Sequence, residues 1–111
     1  MTIEKKDIGD IRVIVLCPRI DIHNVFDVEE QITGMIDDSH TKVIIDFKDV
    51  EYFGSNGIRI LMLAKRKLEK MDGKMILASL NSFVIKILKA IDLIDIFTIK
   101  PNEEEAIKEL S

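Results

Sequence analysis

Residues 42–61 read "KVIIDFKDVEYFGSNGIRIL", and the fold turns on how that stretch is divided. From Lys42 to Phe47 it is nearly continuous in apolar, β-branched residues, the pattern of a strand covered on both faces and therefore central in its sheet. From Ile58 onward the period changes. Ile58, Leu61, Met62, Leu68 and Met71 form one helical stripe, widened at its amino end by Ile60, Leu63 and Ala64, so a helix is expected that is deeply packed in its first half. Lys65, Arg66 and Lys67 carry its second half to solvent, and "DGK" at 72–74 ends it. Between strand and helix lies "GSNG", residues 54–57, a lone serine between two glycines.

Upstream, Ile3 to Ile8 and Ile11 to Cys17 are extended runs separated by Gly9 and Asp10, a hairpin signal because both residues tolerate the positive φ of a tight turn. Pro18 helps to end the second strand. Val25, Val28, Ile32, Met35 and Ile36 then recur at three- and four-residue spacing, which predicts an amphipathic helix capped by Asn24 and finished near "DDSH". Downstream, "MILASL" reads as a strand, "SFVIKILKAID" as a helix and "IFTIK" as a short last strand. After Pro101, "NEEEAIKEL" reads as a terminal helix with an acidic first turn, weakly anchored and prone to fray. Strands alternating with helices after an opening hairpin predict an α/β domain. Its sheet is mixed and largely parallel, with about four to five strands, about four helices and right-handed crossovers.

The 111 residues fit one domain, 1–111, and 47% hydrophobic with 32% charged residues is an ordinary globular composition. A net charge of −4 argues against a generic nucleic-acid binder, and "KRKLEK" at 65–70 has no interleaved aromatics and reads as a solvated helix face. The opening residues lack the apolar stretch of a secretory signal, and no apolar run is long enough to span a bilayer. A cytoplasmic location is the expectation. Cys17, the single cysteine, reads as a buried, inert thiol at a strand end.

Catalytic constellations are poor. His23 and His40 lie in separate loops without metal-ligand spacing and read as solvated. Asp37 with Asp38, and Asp46 with Asp49, sit next to turns, where aspartate serves capping and solvation. "GSNG" satisfies neither GxxxxGK[ST] nor GxGxxG, so it is no phosphate-cradling loop. No metal, cofactor or enzymatic role is expected. Ser55 taken alone reads as the N-cap of the helix that follows, since first-turn N–H groups lack intrahelical partners.

"VIIDFKDVEYFGSNGIRIL" resembles the signature of the STAS domain, in particular of the bacterial anti-sigma-factor antagonists. Asp46 stands for the strand-end aspartate, Val50 and Phe53 for the apolar turn, Ser55 for the phosphorylatable serine, Gly57 for the glycine and Ile58 for the aliphatic residue after it. "RIDIHN" is similar to the family's second loop, with Asp21 in the aspartate's place, and the order of elements matches along nearly the whole chain. Two positions depart from the pattern: Gly54 replaces an aspartate, and Asn56 replaces a small or hydroxylated residue.

The resemblance implies partner switching. The unmodified protein would bind an anti-sigma factor that is also a serine kinase, releasing the sigma factor. Phosphorylation of Ser55 would end that binding, and a phosphatase would restore it. The expected partner surface is built from two loops, around Asp21, Asn24, Gly54, Ser55, Asn56, Gly57 and Arg59, because loops after the carboxyl ends of parallel strands gather at one edge. Gly54 and Gly57 are expected to keep side chains away from Ser55. Arg59, one helical turn on, could pair with a partner carboxylate or the phosphate. A non-switching STAS scaffold in a larger regulatory or transport assembly is the alternative, and the protein would be a monomer or a homodimer.

Overall fold

The structure, a computed structural model, describes residues 3–111. The hairpin comes first: β1 (Glu4–Ile8) and β2 (Ile11–Val15) pair antiparallel, with Gly9 at φ 62° in the turn. There follow α1 (Val25–Gly34), β3 (Lys42–Asp46), α2 (Gly54–Lys70), β4 (Lys74–Ala78), α3 (Ser82–Ala90), a 3₁₀ turn (Ile94–Ile96), β5 (Thr98–Lys100) and α4 (Glu103–Leu110). The sheet runs β1-β2-β3-β4-β5, with β2 through β5 parallel. β3 is the middle strand, and Val43, Ile44 and Ile45 have no exposed surface, as its continuous apolar run requires.

Alternation along the strands divides the core. Ile14, Leu16, Val43, Ile45 and Leu77 face α1, α2 and α3, whereas Ile11, Val13, Val15, Ile44, Ile76 and Ala78 face α4. A period of two is what lets one strand serve two layers. The three crossover helices share one face, and α4 alone covers the other.

Several expectations are corrected. The second strand ends at Val15, not Cys17, and Ile96 belongs to the 3₁₀ turn ahead of β5. Asn24 precedes α1, but its side chain makes no cap hydrogen bond there. The cap position of α2 belongs to Phe53, which leaves Ser55 inside the first turn rather than at the N-cap.

The terminal helix is well anchored. Ala106 and Leu110 are buried under the sheet, Lys6 pairs with Glu103 at 2.6 Å and Lys100 with Glu109 at 3.0 Å, and the Asn102 side chain accepts from the Glu105 N–H at 2.9 Å. The glutamates that suggested fraying are partly used as ion-pair partners, and the apolar face decides the docking.

His40 is also corrected: its ring is not a solvated loop group. Arg12, 5% exposed, grips Asp7 with two hydrogen bonds of 2.8 and 3.0 Å, donates to the Met35 carbonyl at 3.0 Å and meets His40 Nε2 at 3.0 Å. A guanidinium can only donate, so Nε2 accepts and Nδ1 carries the proton toward Asp37 Oδ1, 2.7 Å away. The cluster fastens the hairpin, the end of α1 and the turn before β3 at the amino-terminal edge of the parallel strands.

Candidate functional site

At the opposite edge, where β2 and β3 end, the two expected loops meet through the backbone. The Glu51 and Tyr52 N–H groups donate to the Pro18 carbonyl at 2.7 and 3.0 Å, and the Ile20 N–H donates to the Tyr52 carbonyl at 3.0 Å. This short parallel bridge continues the β2–β3 ladder past the strand ends. Asp46, buried at the end of β3, opens the turn: its Oδ1 accepts from the Lys48 N–H at 2.9 Å. Asn81 ties in a third loop, donating to the Val50 carbonyl at 3.0 Å while capping α3 through the Val84 N–H.

Asp21 and Asn24 brace their own loop. Asn24 donates to the Arg19 carbonyl at 2.7 Å and accepts from the Asp21 N–H at 2.9 Å, while Asp21 accepts from the His23 N–H at 2.9 Å. Asn24 therefore does its hydrogen bonding across the loop, which is why it does not cap α1. Beside it the Arg19 guanidinium stands over the Tyr52 ring, 4.8 Å from its centre, a cation–π contact joining the loops through side chains as well. Cys17 lies beneath, buried, and burial pushes its thiol pKa up. That is the setting of an inert thiol.

The glycines of "GSNG" answer to different neighbours. Gly54 has φ 61°, and a β-carbon there would come within 3.1 Å of the Tyr52 hydroxyl. Gly57 is buried, and a β-carbon would stand 2.6 Å from the Phe53 ring. Phe53 in turn packs on Phe47 with ring centres 5.1 Å apart. Gly57 thus lies on the core side of the turn rather than at the exposed surface, and its lack of a side chain admits the Phe53 ring. Ser55 is exposed and Asn56 half-buried.

Arg59 is exposed, but its Nη1 is committed to Glu29 of α1 at 2.6 Å. That exposed pair bridges α1 and α2. Phe26 and Ile22 are each 73% exposed, and the sequence reading missed both. A signal was there: Phe26 falls off the stripe of Val25, Val28 and Ile32, so a large apolar side chain had no place in the core.

The assembled feature is a surface, not a pocket. A cleft of about 400 Å³ does exist, but it lies between the carboxyl ends of α2 and α4 and the starts of β4 and β5, at the other edge of the sheet.

The STAS domain profile matches residues 2–106. This chain belongs to the STAS family. A Bordetella bronchiseptica protein named as a candidate anti-sigma factor antagonist, BtrV, is 23% identical over 83 residues, covering 75% of this chain and 72% of that one. Among solved structures, an anti-sigma factor antagonist from Mycobacterium paratuberculosis superposes with a TM-score of 0.87 at 24% identity, over 97% of this chain and 92% of that one. The Bacillus cell fate determinant SpoIIAA in its phosphorylated form superposes with a TM-score of 0.76 at 23% identity, over 99% and 100%. The fold is that of the anti-sigma factor antagonists, with a five-stranded, mostly parallel sheet and four α-helices among the described residues. No helix among those residues is long and apolar enough to cross a membrane.

Proposed function

We propose that this protein is an anti-sigma-factor antagonist of the partner-switching kind, a ligand and substrate rather than a catalyst. Its unmodified surface around Asp21, Asn24, Gly54, Ser55 and Asn56 binds an anti-sigma factor with serine-kinase activity in the cytoplasm, and phosphorylation of Ser55 ends the binding until a phosphatase reverses it. The observation that carries this reading is the position of Ser55, exposed in the first turn of α2 between two loops joined by their backbones.

A phosphate there adds about −1.5 to −2 charges at a helix amino end, where free N–H groups and the helix dipole tolerate an anion. The fold survives the modification. A partner packed over Ser55 instead meets a bulky anion that it must bury, and a change of about 3–4 kcal/mol shifts affinity several-hundred-fold. Incubation with ATP and the cognate serine kinase, followed by mass-spectrometric mapping, should place phosphate on Ser55, and Ser55→Asp should lose most of the affinity for that kinase. Phosphate elsewhere, or none with a kinase that demonstrably binds, refutes the switch.

One observation favours a second reading, a non-switching STAS scaffold. Gly54 takes a left-handed φ of 61° with the Tyr52 hydroxyl above it, a conformation an aspartate adopts only at some strain. The position before Ser55 therefore lacks the carboxylate of the pattern it resembles. Ser55→Asp binding within about twofold of wild type would favour that reading.

A further inference from the structure

Arg12 and His40 meet at 3.0 Å in a contact that a single proton forbids. With the imidazole neutral, Arg12 Nη2 donates to His40 Nε2 while His40 Nδ1 donates to Asp37 Oδ1 at 2.7 Å. A protonated ring carries N–H at both nitrogens, and a guanidinium has no acceptor to offer it. The imidazolium would set Nε2–H against Nη2–H, donor facing donor and cation facing cation. The charged groups around the ring come from three elements. Asp7 on β1 has its Oδ2 3.6 Å from Nε2, Arg12 reaches in from β2, and Asp37 lies in the turn after α1, with its Oδ2 3.9 Å from Arg12 Nη1. Farther out, Lys5 and Asp38 are exposed and in no ion pair among the described residues, and Lys42 is taken by Asp10 at 2.9 Å.

We propose that His40 is a proton-operated latch: on taking up a proton, its Nε2–H leaves Arg12 and donates to Asp7 Oδ2, while Nδ1 keeps Asp37. The ring has only to close 3.6 Å to the about 2.8 Å of a charge-assisted hydrogen bond. Asp7 Oδ2 accepts from Arg12 Nη2 at 3.0 Å and has a lone pair left for a second donor. Charge favours the exchange, because Asp7, Asp37 and Arg12 sum to one negative charge and the imidazolium cancels it. Arg12 bears the cost. It is 5% exposed, and its Nη2 keeps Asp7 but loses its second acceptor, which leaves one N–H short of a partner. The Met35 carbonyl stays on Nη1, so the end of α1 remains fastened. The turn of residues 37–40 thus passes from the guanidinium of β2 to the carboxylate of β1. Imidazole is the side chain whose charge ordinarily changes between about pH 5 and about pH 8, and both aspartates are ionised throughout that range, since their hydrogen bonds to Arg12 and His40 favour the carboxylate form. The latch lies at the edge of the sheet away from Ser55, and this inference does not depend on the role proposed there.

Nitrogen-15 NMR of the histidine rings and arginine side chains of the full chain tests it, with the exposed His23 as an internal reference. At about pH 8 His40 should show a proton on Nδ1 and an accepting Nε2. As the pH falls to about 5, both ring nitrogens should become protonated, and the Arg12 Nε and Nη signals should move with the midpoint of His40 and not with that of His23. His40→Gln separates the hydrogen bond from the charge, since a carboxamide oxygen accepts from Arg12 and does not titrate. In that variant the Arg12 signals should hold still over the same range. A proton on Nε2 at the alkaline end, a His40 ring that stays neutral throughout, Arg12 signals that ignore His40, or Arg12 signals that still titrate in His40→Gln would each overturn the inference.

Discussion

Ser55 and Gly57 sit two residues apart in one turn and should respond oppositely to alanine. Ser55 is exposed and does not hold the cap position of α2, so Ser55→Ala should leave stability within about 0.5 kcal/mol. An N-cap serine would cost about 1 kcal/mol instead. Gly57→Ala must push the Phe53 ring off a contact of 2.6 Å, and Phe53, 1% exposed, leans on Phe47. Overpacking of that kind costs about 1–3 kcal/mol. Urea midpoints of the two variants check both values. The serine was legible from its place in "GSNG", but the reason for the second glycine was not, because spacing in the chain does not say which ring a turn folds against.

At the scale of the element, α4 departs most from the sequence expectation. Its eight residues carry four glutamates, and an isolated helix of that length would be marginal in water. Packing overrides propensity: Ala106 and Leu110 sit among Ile11, Val13, Val15, Ile44, Ile76 and Ala78, which α4 shields from water. Leu110→Ala should lower the unfolding free energy by about 2 kcal/mol, and amide exchange in β3 and β4 should accelerate with it. A helix that merely frayed would show neither effect. By contrast α2, with its strong stripe and 17 residues, was readable without its neighbours because its period alone specifies a buried face.

For the whole molecule, acid stability follows from the cluster at the amino-terminal edge of the parallel strands. The hydrogen bond from Arg12 holds the Asp7 carboxyl below the usual carboxylate range, and His40 does the same for Asp37. A folded-state pKa depressed below the unfolded value stabilises the fold above the unfolded pKa, about 3.9. That contribution is lost as pH falls through the lowered folded value. Urea midpoints should therefore drop below about pH 4, and Arg12→Met should flatten that acid limb while lowering stability near neutrality, because it leaves the Met35 carbonyl and Asp7 without their donor. An unchanged acid limb in Arg12→Met would remove the cluster as its cause.

The sequence by itself determined the order of elements, the hairpin at Gly9, the central place of β3 and the closeness of Ser55 to the start of α2. Each rests on interactions between residues near in the chain: periodicity, turn chemistry and an apolar run long enough for one strand. What only the tertiary structure decided is which groups meet. Arg59 is bound to Glu29 and His40 is held by Arg12, pairs some thirty residues apart, Phe26 is left in water, and Gly57 is claimed by the ring of Phe53 four residues before it. A chain's local pattern states which side chains must be buried, but which charge meets which, and which apolar group is left over, is settled only when the layers pack and each partner's position is fixed by all the others.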